Sequence, residues 1–428
     1  MKEQLRVLVF PCGSEIGLEL FRCLSTIKNI ELIGANSVDD HGKFFYKNYI
    51  GNLPFVDDKT FINKLNSIIK KEKIDLVFPA TDSALLVLSI NAKSLNCKLA
   101  SSPAETVNIC NSKKRTYNYF KKDLSVPEIY RPNTIKKFPV FLKPDVGYGS
   151  RGVKSAYNKS QVLNYLKETK NGLILEYLSG KEYTIDCLTD KNGKLIYFLP
   201  RERVRVLNGI SSNTQPVKKN LSEFKKIADT INSKLAFKGA WFFQVKRNSK
   251  GKLVLMEIAS RIGGSSGLSR GMGVNLPLLT IYSHFNYDIS IQKNEHTIEM
   301  DRALSNVYRL KLDFTHAYID LDDTLIIKDK LNTSLLKLIF QFINEKKKII
   351  LITKHRFDVT KTLKKFRISG IFDEIIHLKE NQNKSDFIKN QDSVFIDDSF
   401  SERMNVQKKN KIAVFGTENM DVLFNDFS

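Results

Sequence analysis

FLKPDVGYGSRG, spanning Phe141 to Gly152, puts a lysine at the end of an apolar strand and follows it with a glycine-rich loop. In that place Lys143 pairs with a phosphate as a point charge. Gly147, Gly149 and Gly152 let backbone N–H groups turn toward phosphate oxygens, with Tyr148 between them and the Ser150 hydroxyl added. Taken alone, the segment reads equally well as a hairpin tip with an incidental lysine. Three more segments follow in order: LILEYLSGKE (Leu173–Glu182), WFFQVK (Trp241–Lys246) and LMEIASRIGG (Leu255–Gly264). The backbone of Tyr177 and Leu178 is placed to meet an adenine edge, and Glu182 to accept from ribose hydroxyls. Out of context, Glu176 and Glu182 read as surface carboxylates. Gln244 and Glu257 fall on two strands joined by a turn at Asn248–Gly251, so they lie side by side. Their oxygen-only donor set suits Mg²⁺. Arg261 is expected to face the triphosphate, where an arginine is worth about 10³–10⁵ in rate.

Outward from this centre, 428 residues exceed one core, and roughly 100–200 residues per domain predicts two to four domains. A hydrophobic content of 42% with 27% charged residues belongs to a soluble globular chain. No apolar run approaches the roughly 18–20 residues that span a bilayer. LRVLVF near the N-terminus is too short for a signal core and ends in a glycine turn, so it reads as a buried strand. Five dispersed cysteines without a CxxC pair predict reduced thiols in a cytoplasmic protein, and six histidines without HxxxH spacing argue against a histidine-ligated metal. The net charge of +22 raises a nucleic-acid reading. The lysines are spread over every segment with no aromatic-interleaved basic stripe, which favours a lysine-coated soluble surface, with steering of small anionic substrates as the next reading.

The first hundred residues alternate strand and helix: strands at Leu5–Phe10, Ile30–Gly34 and Leu76–Pro79, with helical spacing at Leu18–Ile27, Phe61–Lys71 and from Ser83. This βαβ order predicts a doubly wound parallel sheet. PCGSEIG has only Gly13 and Gly17, short of a dinucleotide fingerprint, and its glycines are read as permitting a tight turn. FPATD places Asp82 at a strand's C-terminal edge, toward a shared cleft. From Val126 to about Pro277 the strands shorten and take antiparallel character, and 288–301 reads as a polar connector. A further α/β sheet begins near Thr315, with strands in HAYID, KIILIT, SVFID and KIAVFG and a helix through Leu335–Ile343.

In that last segment Asp320 and Asp322 follow an apolar strand in the pattern DxDxTL. Thr353 ends IILI, and Lys384 precedes the strand that ends in Asp397 and Asp398. All sit at strand C-termini, where a parallel sheet opens its cleft. Two like charges 4 Å apart cost about 4 kcal/mol at an effective dielectric of 20, so the carboxylates require Mg²⁺ and Lys384.

The ordered segments over roughly residues 1–300 resemble the ATP-grasp superfamily, in the style of the carbamoyl phosphate synthetase large subunit and related carboxylate–amine ligases. The resemblance implies an α/β and α+β multidomain chain: a Rossmann-like pre-ATP-grasp domain (1–110) and an ATP-grasp domain (111–312). It implies an ADP-forming ligase in which a carboxylate attacks the γ-phosphate and an amine captures the acyl phosphate. Lys143 matches the strand lysine and Lys113 or Lys114 the earlier phosphate-binding lysine. GYGSRG matches the flexible loop, Glu182 the ribose acid, Gln244 and Glu257 the metal ligands, and Arg261 the arginine of the E-I-N-P-R type motif. Ala259 stands where that motif has a metal-ligating asparagine. Arg201, Arg203 and Arg205 match arginines that meet substrate or phosphates, although a solvated basic strand is nearly as good a reading. Gly263 and Gly264 fall where the acid or amine is contacted. ATP and Mg²⁺ are the implied cofactors, with Mn²⁺ as an alternative.

Residues 313–428 resemble the haloacid dehalogenase (HAD) superfamily, a doubly wound parallel sheet whose motif spacing leaves no room for a cap domain. The resemblance implies phosphatase chemistry. Asp320 is the nucleophile and a metal ligand, and Asp322 the acid–base and a further ligand. Thr353 and Lys384 hold phosphate, Asp397 ligates the metal and Asp398 supports it. The combined expectation is a bifunctional enzyme acting on a small carboxylate and an amine, the latter in phosphorylated form in one version. It has no nucleic-acid or membrane partner, and a homo-oligomer is compatible with it. The alternative is a phosphatase whose ATP-grasp region binds nucleotide without ligating.

Overall fold

The computed structural model describes residues 4–147, 152–207, 209–305, 307–308 and 310–425. Two compact units divide the chain, residues 1–304 and 305–428.

LRVLVF forms β1 (Leu5–Phe10), whose residues from Val7 to Phe10 are buried. It is the middle strand of a five-stranded parallel sheet ordered β3-β2-β1-β4-β5, with β2 at Ile30–Ala35, β3 at Asn48–Ile50, β4 at Leu76–Pro79 and β5 at Lys98–Leu99. The order reverses between β1 and β4, which opens a crevice beyond their C-terminal ends. The helix after β1 runs Glu15–Leu24, starting earlier than the apolar spacing indicates, because the Ser14 hydroxyl accepts from Gly17 N–H at 2.9 Å and caps it. Ser14 also donates to Ala80 O at 2.8 Å, tying the loop after β1 to the end of β4. A Cβ on Gly17 would lie 2.3 Å from Cys12 O, so this glycine serves a tight turn. The helix Asp82–Ile90 starts one residue before Ser83, capped by the Thr81 side chain, which accepts from Ala84 N–H.

Two antiparallel sheets follow in the same unit. The smaller is ordered β6-β9-β7-β8, with β6 at Ile129–Tyr130, β7 at Val140–Pro144, β8 at Lys154–Ala156 and β9 at Gly172–Glu176. The larger is ordered β14-β13-β10-β11-β12-β15. Its strands are β10 (Glu182–Thr189), β11 (Leu195–Leu207), β12 (Ile210–Pro216), β13 (Gly239–Arg247), β14 (Leu253–Ala259) and β15 (Met300–Asp301). One face of the larger sheet packs Trp241, Phe243, Val245 and Leu255 against Phe224, Ala228 and Ile231 of the helix Leu221–Lys234. Leu188, Leu199 and Ala240, on its interior strands β10, β11 and β13, join the core that includes β1. β11 is longer than KLIYFLP implies and carries Arg201, Arg203 and Arg205 within the strand, with a register shift between the last two. β15 lies inside the stretch read as a polar connector, so that stretch contributes an edge strand.

The second unit is a parallel sheet ordered β20-β19-β16-β21-β22: β16 (His316–Ile319), β19 (Lys348–Thr353), β20 (Glu374–His377), β21 (Ser393–Ile396) and β22 (Ala413–Phe415). A short hairpin, β17 (Ile326–Ile327) with β18 (Lys330–Leu331), follows β16. β20 carries charged and half-exposed residues, so its apolar run was too weak to read as a strand. The helix Thr333–Asn344 buries Leu335, Leu338, Ile339 and Phe342 against β16 and β19.

Among the described residues no helix is long and apolar enough to cross a membrane.

Candidate functional sites

The first site lies where the two antiparallel sheets meet. Lys143, in β7, is 5% exposed, and its Nζ donates to Met256 O of β14 at 3.3 Å. Burial pushes its pKa down to about 7, helped by the nearby charge of Lys113 and opposed by Glu257. Next to Met256, Glu257 is the register partner of Gln244 on β13, so the two side chains share a face. Ala259 is buried beyond them. Tyr117, fully buried below Lys143, donates to the same Met256 carbonyl at 2.7 Å. A carboxylate and an amide oxygen beside a lysine can share a hard cation with phosphate oxygens, since Mg²⁺ keeps waters and phosphates among its ligands.

Lys113 opens the helix Lys113–Phe120, and its Nζ donates to Gly147 O at 3.1 Å and to Asp145 O at 3.4 Å. Asp145 accepts from Ser112 Oγ at 2.9 Å and from Lys114 N–H at 2.8 Å, which fixes the first residues of the glycine loop to that helix. Gly147 and Gly152 flank the loop at positive φ, and Tyr148, Gly149 and Ser150 lie outside the described residues. Asp145 and Tyr117 had no role in the sequence reading. DVGYGSRG begins with the aspartate, but its partner Ser112 lies 33 residues away, so no local pattern marks it.

Glu176 and Tyr177 are partly exposed, with Leu178 buried beside them. Glu182 opens β10 and is flanked by two cations, Arg203 at 3.2 Å and Lys246 at 3.7 Å. Arg203 also donates to Gly209 O at 2.7 Å. Arg205 is half-exposed and pairs with Asp301 at 2.6 Å. Arg201 is 1% exposed: both arms bond the Asp186 carboxylate at 3.0 and 3.1 Å, and the third nitrogen donates to Ser265 Oγ at 2.8 Å. Three of its five N–H donors are taken by these buried partners and it is almost wholly inaccessible, which departs from its expected role. Removing one partner of such a buried pair costs about 3–5 kcal/mol, so Arg201 and Asp186 hold the strand and the GGSSG turn together.

Arg261 does not stand free at the end of β14. Its Nε and its terminal nitrogen bond the two Asp82 oxygens at 2.7 and 2.5 Å, so the expected triphosphate-facing guanidinium is held at the crevice of the parallel sheet. Three residues on, Gly264 approaches Glu15 so closely that a Cβ there would lie 2.6 Å from the carboxyl group, whereas Gly263 lies beside Arg201 and Asp186. Glu15 in turn pairs with Arg302. The loops after β1 and β4 therefore meet the turn after β14 at one place, and PCGSEIG supplies an acid to it.

The second site stands at the C-terminal ends of β16, β19 and β21. Lys384 Nζ lies 2.6 Å from both Asp320 and Asp397, all three buried. Asp320 is pushed up to about 7 by burial, with Lys384 pulling it down and Asp397 pushing it up. Burial also raises Asp397, again against Lys384. Oxygens of Asp320, Asp397 and Asp398 lie within 4.8 Å of one another, an all-oxygen set that fits a hard divalent cation. Asp322 is outside that cluster: it is half-exposed and meets His355 Nδ1 at 2.9 Å, which departs from its expected ligand role. Asp398 takes its place in the cluster. The Thr324 hydroxyl stands 3.1 Å from both Asp320 and Asp398 and accepts Asp398 N–H at 2.9 Å. Thr353 is fully buried and its hydroxyl accepts His355 N–H at 3.1 Å. Thr324 was legible as the threonine of DxDxTL, whereas nothing local marks His355.

Residues 168–311 match a family model described as ATP-grasp in the biosynthetic pathway with Ter operon. A D-alanine–D-alanine ligase of Fusobacterium nucleatum is 28% identical over 154 residues, 33% of this chain and 52% of the relative, so the chain spans about half the length of that curated protein. Among solved structures, the biotin carboxylase domain of Hydrogenobacter thermophilus 2-oxoglutarate carboxylase, in complex with MgADP, ADP and bicarbonate, aligns with a TM-score of 0.57 at 15% identity, over 68% of this chain and 72% of that one. An L-amino acid ligase from Bacillus licheniformis aligns at 0.53 and 16%, covering 66% and 75%. N5-carboxyaminoimidazole synthetase from Staphylococcus aureus, complexed with ADP, aligns at 0.56 and 15%, covering 67% and 78%. Residues 168–311 are thus similar to an ATP-grasp family, and about two thirds of the chain shares its fold with these solved structures.

Proposed function

We propose that residues 1–110 and 111–312 act together as a pre-ATP-grasp and an ATP-grasp domain that join a small carboxylate to an amine. The observation that carries this reading is Lys143 buried between the two antiparallel sheets, beside the Gln244–Glu257 pair. A triphosphate held there would have Lys113 and Lys143 as phosphate partners, the backbone at Gly147 and Gly152 close by, and Glu176–Leu178 and Glu182 toward the nucleoside. Gln244 and Glu257 would hold Mg²⁺, which supplies charge neutralisation of the phosphates. A carboxylate oxygen attacks the γ-phosphorus, the bond to the β-phosphate oxygen breaks and ADP leaves. The amine then attacks the acyl carbon, loses a proton, and inorganic phosphate departs. Arg261, Arg203, Arg205 and the Gly263–Gly264 turn border the space for acid and amine.

Residues 313–428 act, in this proposal, as a cap-less phosphatase of the haloacid dehalogenase kind. The Asp320 carboxylate attacks the phosphorus of a phosphomonoester, and Asp322 gives a proton to the leaving oxygen. Water, deprotonated by Asp322, then releases phosphate from the aspartyl phosphate and restores Asp320. Lys384 and Thr353 would meet phosphoryl oxygens, and Asp320, Asp397 and Asp398 would hold the Mg²⁺ that offsets their mutual repulsion. The two activities connect if the ligase uses a phosphorylated amine and the phosphatase acts on the product.

The test is a screen of acid and amine pairs with MgATP, reading ADP and the mass of an amide. ADP formation that depends on both substrates supports the ligase. One observation favours a second reading: apolar Ala259 stands buried beside Glu257, where an oxygen ligand is expected. Under that reading the chain binds ATP yet forms no ADP with any pair, while phosphate esters are still hydrolysed.

A further inference from the structure

The loops after β19 and β20 line an open, solvent-facing cavity of about 500 Å³ beside the acidic site of the second unit. Its wall contains Lys354, Arg356 and Lys379, with Glu380 as the carboxylate among the lining residues. His377 Nε2–H donates to His355 O at 2.7 Å and joins the two loops into one rim. His355 is shared with the acidic site, because its ring meets Asp322 at 2.9 Å, two residues after Asp320. Its other nitrogen is 2.9 Å from Thr362 Oγ1, so the imidazole is fixed at both ends.

Two of the three cations of this cavity, Arg356 and Lys379, are not firmly cancelled. Lys354 is paired with Glu402 at 2.6 Å. Arg356 meets Glu380 at 3.3 Å, but their side chains are 81% and 76% exposed, and such a pair is readily exchanged for another anion. Lys379 has no carboxylate within ion-pair distance among the described residues. A cleft lined by one sign of charge concentrates ligands of the other sign.

We infer that this cavity seats a second anionic group of the phosphatase substrate, so that the C-terminal unit prefers phosphomonoesters bearing a carboxylate or a further phosphate. The inference rests on the phosphatase reading of Asp320. The phosphoryl group goes to Asp320 and Lys384, and the distal anion goes past His355 to Arg356 and Lys379. A hydroxyl in the same position gains little, because the strong bonds here are charge-assisted.

The test uses the full chain with Mg²⁺ and two esters that differ by a carboxylate against a hydroxymethyl group, 3-phosphoglycerate and glycerol 3-phosphate. Phosphate release is expected with kcat/KM about tenfold higher for the carboxylate, as a bond to a charged group implies. Lys379→Glu and Arg356→Glu, both at exposed positions, should each bring that ratio toward one, mainly through KM. A ratio near one in the wild type, or one unmoved by both substitutions, overturns the inference while the phosphatase stands. No release from either ester or from p-nitrophenyl phosphate overturns both.

Discussion

Arg261 and Asp82 form a two-point ion pair, 2.7 and 2.5 Å, between the end of strand β14 and the start of the helix Asp82–Ile90. The pair joins the parallel sheet to the large antiparallel sheet at the crevice where substrates of this fold class collect. Asp82 therefore positions the one arginine of the β14 turn that the sequence assigns to catalysis.

Asp82→Asn keeps the shape but removes the charge and one of the two acceptors that hold Arg261. Ligase turnover is expected to fall by about 10²-fold, the scale of a small misplacement at a reacting centre. MgATP affinity should change little, and the melting temperature should reflect a loss of about 1–3 kcal/mol. Equal losses in nucleotide affinity and turnover would show that the pair serves only to hold the sheets.

Lys143→Met retains the apolar stem and removes the ammonium. ATP turnover should drop by about 10²-fold or more, the scale seen when one preorganised donor to developing charge is lost. Stability should stay near the wild type, because burial already opposes the charged form of this lysine. Full ADP production by the variant would remove Lys143 from the phosphate site.

His284 provides the pH dependence. Its ring is buried, and burial, with Lys238 and Lys98 nearby, pushes its pKa down to about 4 from 6.5. A histidine with a depressed folded pKa supports the fold above its unfolded value, and that support is lost as pH falls through 6.5 toward 4. By pH 5 the loss amounts to about 2 kcal/mol. Melting curves between pH 7.5 and 5 should show this decline in the wild type and a shallower one in His284→Gln. Identical slopes would mean that the imidazole titrates normally.

Asp320→Asn should cut phosphate-ester hydrolysis by about 10³-fold or more, as loss of a nucleophile does. If the two units act in sequence, the variant accumulates an amide that retains phosphate, visible as a mass increment over the wild-type product. Ligation products that never carry phosphate, in variant and wild type alike, would uncouple the two activities.

Much of the architecture was legible because its signals are local. LRVLVF and HAYI are buried central strands with turn residues after them, and the Asn248–Gly251 turn brings Gln244 beside Glu257 by register alone. Short-range signals failed where partners are distant. Arg261 finds Asp82 across 179 positions, and Asp145 finds Ser112 across 33. β20 was missed because its strand EIIH carries too little buried surface to show a period. His355 escaped notice because its role depends on where β19 delivers the loop after Thr353, beside a carboxylate 33 positions away.

The most direct test is calorimetric titration of MgATP into the folded full-length chain, with Lys143→Met in parallel. A nucleotide clamped between the two antiparallel sheets is expected to give saturable heat at one site per chain, lost or strongly weakened in the variant. Absence of heat in well-folded wild-type protein, or equal binding by the variant, would contradict the assignment of the Lys143–Glu257 site to ATP.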